Sequence, residues 1–470
     1  MTDFTLLVLP VGITWALAAV LALLNGRRPW VGWLAVAGLG ASLASAIWLT
    51  VKVLREGPLE TVAGGWPAGV GIVLRADVLG LTFAVVSLGV ILVSLLSEVL
   101  AGVRSRTFPA LVLFMAAGLS GLFLTGDIFN FYVFFEISMT AAYVLTGYRE
   151  KDFQVRAAFI FAVINLLGSV VFLIGVAALY HVTGTLEMAE VARRIAAVEP
   201  NSVITIAAAI FVAFCLKLGL FPFHFWLPAV YVGSHAPVAA ILSGALANIG
   251  SYGLLRFGAG ILPEELALGT TVVLILGTAS IIYGAHQAIS RHSTNEVMAY
   301  SAIGQAGYIL IALGIGGPVG YSAAVIYAVV NSLNKALLFL SAGLRGPLVG
   351  AAFAVGAFSV AGVPPAAGFL GKLALFQAGI VSGGPMKAVA LVALIFLGGA
   401  LSFVYSFQVY QRAYWKQEPE GKPGGKDSSG ATRALVFALA VLVLAAGLWP
   451  EPLLVLSEGA AAVLEGGSAR

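Results

Sequence analysis

Four ionisable residues lie inside long apolar stretches of the sequence, where charged side chains are unusual. Glu136 lies in IFNFYVFFEISMTAAYVLTG, and Lys217, Lys335 and Lys372 lie in three later stretches. If these stretches cross a membrane, each ionisable group costs at least about 2.5–3.5 kcal/mol to insert. Burial favours the neutral form of such a group, whereas a nearby opposite charge favours the ionised form. We therefore expect these four residues to transfer protons.

The hypothesis assigns a different role to each partner. Glu136 holds Lys217 protonated while the two are close, and their separation releases the proton toward Lys335 and Lys372. Two structural alternatives stay open: the acid and lysine could form an ion pair that only fixes helix packing, and a lysine near a span end could extend to the membrane surface.

Lys335 lies on a polar helical stripe. Tyr327, Asn331, Asn334 and Lys335 occupy positions i, i+4, i+7 and i+8, which share one face of a helix. These side chains could order water along the proton path, or could only form hydrogen bonds between helices.

Two of the lysines lie beside predicted helix breaks. Pro222 follows Lys217 and should end the helix near Leu220, because proline lacks a backbone donor. Pro364 and Pro365 precede Lys372 and should interrupt the helix that carries it. Two interrupted spans at corresponding positions in two halves of a chain are typical of transporters built from inverted repeats, with the ion path at the breaks.

The composition indicates that the elements holding these residues are membrane-spanning helices. The chain has 470 residues, of which 60% are hydrophobic and only 10% are charged. This excludes a soluble globular protein, and at about 20 residues per helix it allows about 14 spans. The predicted spans are Phe4–Leu24, Trp30–Val53, Ala76–Val99, Phe108–Thr125, Ile128–Gly147, Arg156–Tyr180, Ile204–Leu220, Pro237–Phe257, Leu266–Gln287, Val297–Leu313, Tyr321–Ala342, Val349–Gln377, Met386–Arg412 and Ala434–Trp449.

The predicted fold class is an all-α polytopic membrane protein with about 14 transmembrane helices, two inverted five-helix repeats, and broken seventh and twelfth helices. The predicted organisation is an N-terminal three-helix segment over 1–107, a first repeat over 108–257, a second, inverted repeat over 258–412, and a cytoplasmic loop with the last helix over 413–470. Thr185–Glu199 is predicted to form a short surface helix, and Glu418–Gly430 a polar loop.

Basic residues in the connections predict the orientation. The odd-numbered connections hold 14 Lys and Arg residues and the even-numbered ones hold 7. The odd connections should therefore be cytoplasmic and both termini should lie outside. We expect a multi-pass protein of the cell (cytoplasmic) membrane.

Other chemistry has little support in the sequence. The five histidines have no metal-ligand spacing, and the single cysteine, Cys215, excludes a multi-cysteine cluster within the chain. We predict no metal, no catalytic constellation, no cofactor and no nucleic-acid partner. His224 and His235 flank the connection between the seventh and eighth spans and could feed protons, although a structural role is at least as plausible. Asp127 could cap the fifth span.

Several motifs resemble the antiporter-like subunits shared by respiratory complex I, membrane-bound hydrogenases and Mrp-type cation/proton antiporters, most of all the D subunit of the Mrp type. The resemblance covers nearly the whole chain. Its motifs are FLTGDIFNFYVFFEISMTAAYVL (123–145), YHVTGTLEMAEVARR (180–194), LKLGLFPFHFWLP (216–228), AYSAIGQAGYI (299–309), NKALLFLSAG (334–343) and AGVPPAAGFLGKL (361–373).

The resemblance implies that Glu136 and Lys217 form the proton-input pair, and that Lys335 and Lys372 continue the path. One departure concerns the eighth span, where the family commonly has a lysine and this chain has Asn248. Asparagine cannot titrate, so the central relay must use ordered water there or bypass the position.

The function expected from this resemblance is that of a proton-conducting subunit in a multisubunit antiporter, exchanging protons for Na⁺ or another monovalent cation. Its partners would be other membrane subunits and the lipid bilayer. The alternatives are a proton-pumping membrane-arm subunit of a redox-driven complex, of the NADH-quinone oxidoreductase or membrane-bound hydrogenase type, and a structural subunit that has lost transport.

Overall fold

The computed structural model describes residues 3–66, 71–416 and 430–466. Most of this chain is helical, as the apolar stretches predict. The helices are α1 (Asp3–Leu23), α2 (Pro29–Glu56), α3 (Val78–Ala101), α4 (Phe108–Phe123), α5 (Ile128–Thr146), α6 (Asp152–Thr183), α7 (Met188–Arg194), α8 (Pro200–Leu218), α9 (Leu227–Gly233), α10 (Ala236–Ala259), α11 (Pro263–Leu268), α12 (Thr270–Ser290), α13 (Thr294–Ile315), α14 (Gly317–Ser341), α15 (Pro347–Ala361), α16 (Ala367–Val381), α17 (Pro385–Trp415), α18 (Gly430–Leu448) and α19 (Glu451–Gly466).

Within the described ranges, 12 helices are long and apolar enough to cross a membrane. Three further apolar helices, α4, α15 and α16, have 10–17 residues. Each of the 14 predicted spans coincides with one of these helices or with a helix pair. The polytopic helical fold is therefore confirmed, while the exact number of crossings and the inverted repeats stay predictions.

Both predicted helix breaks are present. α8 ends at Leu218, two residues before the expected position, and Gly219 takes a left-handed conformation with φ 71° that ends the helix. The chain then turns through Pro222 and resumes helically at Leu227. The twelfth predicted span is likewise divided between α15 and α16, with Pro364 and Pro365 in the connection. Each break leaves its lysine within a turn or two of the interruption.

Local signals for two other elements are also confirmed. Asp127 caps α5, because its carboxylate Oδ1 accepts a hydrogen bond of 2.7 Å from the backbone N–H of Asn130. The predicted surface helix within Thr185–Glu199 is α7 followed by one 3₁₀ turn. Of the predicted polar loop, residues 418–429 lie outside the described residues.

Two elements were not expected from the sequence. An antiparallel hairpin pairs β1 (Leu59–Val62) with β2 (Val73–Ala76), in the connection between α2 and α3. This short hairpin is an addition to the predicted all-α membrane fold. The second element is α19, which follows Pro450 and buries one helical face, with Leu453, Ser457 and Leu464 at spacings of four and seven residues.

Four of the helices long enough to cross a membrane form the interior of the bundle together with the shorter α4. Most residues of α3, α10, α13 and α14 are buried within the protein, whereas the more peripheral helices expose many large apolar side chains. A helix surrounded by protein can carry polar side chains, because neighbouring helices supply hydrogen-bond partners that lipid cannot. These four helices hold most of the buried polar groups described below.

Candidate functional site

Lys217 lies at the interface between α8 and α6. Its side chain is 6% exposed. Its ammonium Nζ donates to the Asn165 carbonyl oxygen at 2.7 Å and to the Ser169 hydroxyl at 3.0 Å. It also lies 4.2 Å from the centre of the Phe135 ring, a distance suited to a cation–π contact. The ammonium group is thus held by neutral oxygens and an aromatic face.

Glu136 follows Phe135 on α5 and is half-buried. Within the described chain, its Oε1 atom is buried and has no hydrogen-bond partner. Phe135, the residue before Glu136 on α5, contacts the Lys217 ammonium, but no ion pair within 4.0 Å joins Glu136 and Lys217 in the described residues. The predicted ion pair is therefore not closed in this conformation.

A small cavity adjoins Lys217 on the side that faces α10. It has a volume of about 10 Å³ and is lined by Asn165, Lys217 and Trp226 together with apolar side chains that include Leu242 and Leu246. A cavity of that size holds at most about one water molecule. Water between Lys217 and α10 is consequently limited in this conformation.

Asn248 joins three of the interior helices. Its amide Nδ2 donates to the Ser87 hydroxyl on α3 at 3.0 Å and to the Gly244 carbonyl at 3.2 Å. Its Oδ1 atom accepts a hydrogen bond of 3.1 Å from the Ser332 hydroxyl on α14. π-helical segments occupy Leu242–Leu246 and Leu254–Ala259 on either side of it. Such segments are rare and often occur at functional sites.

Lys335 is fully buried in α14, with 0% of its surface exposed. Its Nζ atom donates to the Ser301 hydroxyl at 2.8 Å and to the Met298 carbonyl at 3.3 Å, both on α13. The Ser301 hydroxyl lies 2.8 Å from the hydroxyl of Tyr405 on α17. Ser301 and Tyr405 were not predicted from the sequence, although Ser301 lies within the motif AYSAIGQAGYI.

The hydrogen-bond chain continues from Tyr405. Its hydroxyl donates to the Ser402 hydroxyl at 3.2 Å, and Gln305 Nε2 donates to both hydroxyls, at 3.2 Å for Tyr405 and 3.3 Å for Ser402. The hydroxyl of Tyr327 donates to Gln305 Oε1. Tyr327 and Lys335 thus belong to one network, although they make no direct contact. The signal available in the sequence was Ser402 and Tyr405, one turn apart on an apolar helix.

The two asparagines of the polar stripe do not join this network. Asn334 is buried, and Asn331 is half-buried. For each of them, Oδ1 is buried without a hydrogen-bond partner in the part of the chain that the structure describes. They lie on the same helix as Lys335, and their Oδ1 atoms could each accept a hydrogen bond from water.

Lys372 lies in α16, within two turns of the break. Its Nζ atom donates to the Ala361 carbonyl at 2.8 Å and lies 5.3 Å from the centre of the Tyr308 ring. Gly399 on α17 allows this approach, because a Cβ atom there would lie 2.8 Å from Nζ. Ser402 is one turn further along α17, so the Lys335 network ends close to Lys372.

The two histidines occupy separate places. His224, in the α8–α9 connection, packs against Tyr283 with ring centres 4.3 Å apart, and burial lowers the pKa of its imidazole. His235 precedes α10, and its Nδ1 atom lies 3.4 Å from Glu98 Oε2. Burial and the neighbouring positive charges, Arg149 foremost, lower the pKa of His235. Neither histidine contacts the lysines through a described hydrogen bond.

This arrangement can conduct protons but offers no constellation for covalent chemistry among the described residues. It comprises three buried amines and one acid, connected in part by hydroxyl and amide groups inside a helical membrane bundle. Such sites are typical of proton-translocating membrane subunits. The fold and the site together define that class.

Comparison with known proteins agrees with this class. Residues 125–346 match the family described as NADH:quinone oxidoreductase/Mrp antiporter, TM. The D subunit of the Na(+)/H(+) antiporter of Alkalihalophilus pseudofirmus is 30% identical, over 95% of this chain and 94% of that protein.

Solved structures are also similar over almost the full length. A chain of the Mrp complex from Dietzia sp. DQ12-45-1b superimposes with a TM-score of 0.89 at 27% identity, covering 99% of this chain and 98% of that one. A chain of the membrane-bound sulfane sulfur reductase, an archaeal respiratory membrane complex, has a TM-score of 0.86 at 26% identity, with 99% and 98% covered. The protein therefore belongs to the NADH:quinone oxidoreductase/Mrp antiporter membrane-subunit family.

Proposed function

We propose that this chain is the proton-translocating subunit of a multisubunit monovalent-cation/proton antiporter, with Na⁺ as the exchanged cation. One observation carries the proposal: Lys217, Lys335 and Lys372 are each buried in the bundle, and each donates only to neutral oxygens of the described residues. A permanent charge at such positions would be poorly compensated. Lysines that gain and lose protons fit these surroundings.

The order of the groups suggests the route. Glu136 accepts a proton and passes it to Lys217 when the two side chains close to hydrogen-bonding distance. From there the proton crosses the small cavity to α10, where Asn248 orients water or hydroxyl groups without itself holding the charge. The route then continues from Lys335 through Ser301 and Tyr405 to Ser402, following the described hydrogen bonds, and passes from Ser402 to the nearby Lys372.

Partners and location follow from the same proposal. The relatives are antiporter subunits or parts of larger membrane complexes, so other membrane subunits should assemble with this chain and supply the rest of the cation pathway. We place the complex in the cell membrane, with the basic connections in the cytoplasm and both termini outside.

A redox-driven complex is the second candidate, because the similar chain of the sulfane sulfur reductase belongs to a respiratory complex. In that case the same lysines would translocate protons, but the energy would come from a soluble electron-transfer partner. Purification from the native host in mild detergent distinguishes the two. Small antiporter subunits in the purified complex support the antiporter, and flavin or iron–sulfur proteins support the redox complex.

Reconstituted vesicles test the transport itself. The purified complex, in vesicles containing a pH-sensitive dye, should change the internal pH when a Na⁺ gradient is imposed. Lys217→Ala should abolish that signal while the subunits still purify together in normal amounts. A Lys217→Ala complex that exchanges protons at the wild-type rate would contradict the proposed path.

A further inference from the structure

A second buried acid lies outside the path described above. Glu98 is in the last turn of α3, and its side chain is 0% exposed. Its Oε1 atom accepts hydrogen bonds from the Tyr148 hydroxyl at 2.6 Å and from Arg149 Nη2 at 3.3 Å. Its Oε2 atom lies 3.4 Å from His235 Nδ1 and, within the described ranges, accepts no hydrogen bond. One oxygen of a buried carboxylate is thus unsatisfied.

The residues that hold Glu98 also line an open polar cavity. Its volume is about 230 Å³, large enough for several water molecules. Tyr148 and Arg149 form one wall, and the rest of the lining is Arg27, Arg104, Ser105, Glu150 and Lys151. His235 is 27% exposed and Arg149 is 18% exposed. Water in this cavity can therefore contact Tyr148 and Arg149, the two side chains that hydrogen-bond to Glu98.

A row of serines leads inward from Glu98 along the same face of α3. Ser94 and Ser87 precede it by four and eleven residues, spacings that return to one side of a helix. The Ser94 hydroxyl is buried and, in the part of the chain that the structure describes, has no hydrogen-bond partner. Ser87 accepts the hydrogen bond from Asn248 Nδ2. An unpaired buried hydroxyl thus lies between the acid and the centre of the bundle.

The row reaches the helix that carries Lys335. Asn248 receives the Ser332 hydroxyl hydrogen bond, and Ser332 precedes Lys335 by three residues on α14. The three helices are in close contact at this level, because a Cβ atom on Gly244 of α10 would lie 2.7 Å from the Ser332 carbonyl and 3.1 Å from Val90 of α3. The row of serines is therefore enclosed by α3, α10 and α14.

A purely structural role for Glu98 would leave its unpaired Oε2 atom unexplained. A buried carboxylate that ties loops together gains most when both oxygens are hydrogen-bonded and the arginine contact is bidentate. Among the described residues, a single arginine nitrogen hydrogen-bonds Glu98, and Oε2 accepts no hydrogen bond although His235 Nδ1 lies 3.4 Å away. The described titratable groups around it are Tyr148, Arg149 and His235, with Arg104 at longer range.

We propose that Glu98 is a proton-loading site separate from Glu136, from which Ser94, Ser87 and Ser332 lead to Lys335 past Asn248, whose amide orients the intervening water. A proton from water in the polar cavity binds Oε2, and it leaves along the serine row through intervening water. The proposal rests on the proposed function and adds a second entrance to it. It also supplies Lys335 with protons that need not cross the small cavity beside Lys217.

Transport by the intact complex in dye-loaded vesicles tests the proposal. Glu98→Gln keeps the size of the side chain and an oxygen for Tyr148 and Arg149, but cannot exchange a proton. It should lower proton transport at least tenfold, whereas Glu98→Asp should keep a larger share of the rate. A structural tie predicts the reverse order, since glutamine preserves the geometry better, so a Gln rate equal to or above the Asp rate overturns the proposal.

Two serine variants complete the test. Ser94→Ala should lower transport severalfold, and because its hydroxyl has no described partner, the change removes no hydrogen bond that holds the fold. Ser97→Ala, also buried on α3 but off the row, should transport at the wild-type rate. Equal rates for Ser94→Ala and Ser97→Ala overturn the proposal even if the Glu98 variants fail to assemble.

The outcomes distinguish this proposal from the one on which it rests. If Lys217→Ala is inactive while Glu98→Gln and Ser94→Ala transport normally, the second entrance is wrong and the proposed function stands. If the wild-type complex moves no protons, both are wrong.

Discussion

Tyr405→Phe removes a single hydroxyl from the hydrogen-bond chain that leads from Lys335 to Ser402, on the way to Lys372. That hydroxyl lies 2.8 Å from Ser301, 3.2 Å from Ser402 and 3.2 Å from Gln305 Nε2. Removing one atom of that size leaves less space than a water molecule needs, so water cannot replace it without movement of the helices. The variant should therefore interrupt proton transfer at a known point of the path.

The effect on stability should be small compared with the effect on transport. Each partner of the lost hydroxyl keeps another hydrogen bond: Ser301 with Lys335, Gln305 with Ser402, and Ser402 with the Gly398 carbonyl. The cost to folding should be about 1–2 kcal/mol. A positioned proton-transfer group commonly contributes about 10²–10⁴ in rate. We expect a loss of about 100-fold, equivalent to about 2.7 kcal/mol in the barrier.

The assay is the initial rate of Na⁺-driven pH change in vesicles, normalised to the amount of assembled complex. Tyr410→Phe is the matched control, because it is the same change on the same helix, away from the described hydrogen-bond chain. It should retain the wild-type rate. If Tyr405→Phe transports within twofold of Tyr410→Phe, the hydroxyl chain does not carry the proton, and the reasoning from its geometry is refuted.

Three other changes test separate parts of the structure. Asn248→Lys restores the residue that the family commonly has and should alter the transport rate; an unchanged rate would mean that the proton path bypasses α10. Gly399→Ala should displace the Lys372 ammonium, because a Cβ atom there would lie 2.8 Å from Nζ, and should slow transport without changing any polar group. Asp77→Asn breaks the buried ion pair in which Arg256 Nη2 lies 2.7 Å from Oδ1, at a cost of about 3–5 kcal/mol. Although burial alone would raise the pKa of Asp77, two arginines, Arg256 foremost, and a backbone N–H hold it below its ordinary value. The stabilisation is thus present above the ordinary pKa of about 3.9 and is lost as the pH falls through the lowered value. Thermal unfolding curves of wild type and Asp77→Asn in detergent should differ near neutral pH and converge below about pH 4, and a constant difference down to pH 2 would contradict this account.

The sequence predicts the helices well, because apolar runs and prolines act locally. Pro222 and Pro364 lack a backbone N–H whatever surrounds them. The sequence therefore locates both helix breaks to within a few residues. The β1–β2 hairpin was missed because four-residue strands carry too short a pattern to distinguish them from a loop.

Contacts between distant helices could not be predicted. Ser301 and Tyr405 are 104 residues apart, and a serine or tyrosine in an apolar helix is by itself unremarkable. Glu98 was missed for another reason: it lies one residue from the end of the third predicted span, where sequence alone does not separate a buried acid from one that reaches the surface. Only the placement of Tyr148 and His235 against it reveals the burial.

Described hydrogen bonds connect one part of the proposed proton path and leave another part unconnected. We expect transport to be controlled in the unconnected part. From Lys335 to Ser402 every step is a described hydrogen bond between side chains, so a proton can pass by small rotations of hydroxyl groups. Between Lys217 and Asn248, by contrast, the cavity holds at most about one water molecule and is walled by Leu242 and Leu246. Those two leucines bound a π-helical segment, a rare element that often occurs at functional sites. On the proposed path we therefore expect control of proton flow from Lys217 at this part of α10, and an entrance at Glu98 would reach Lys335 without passing those leucines.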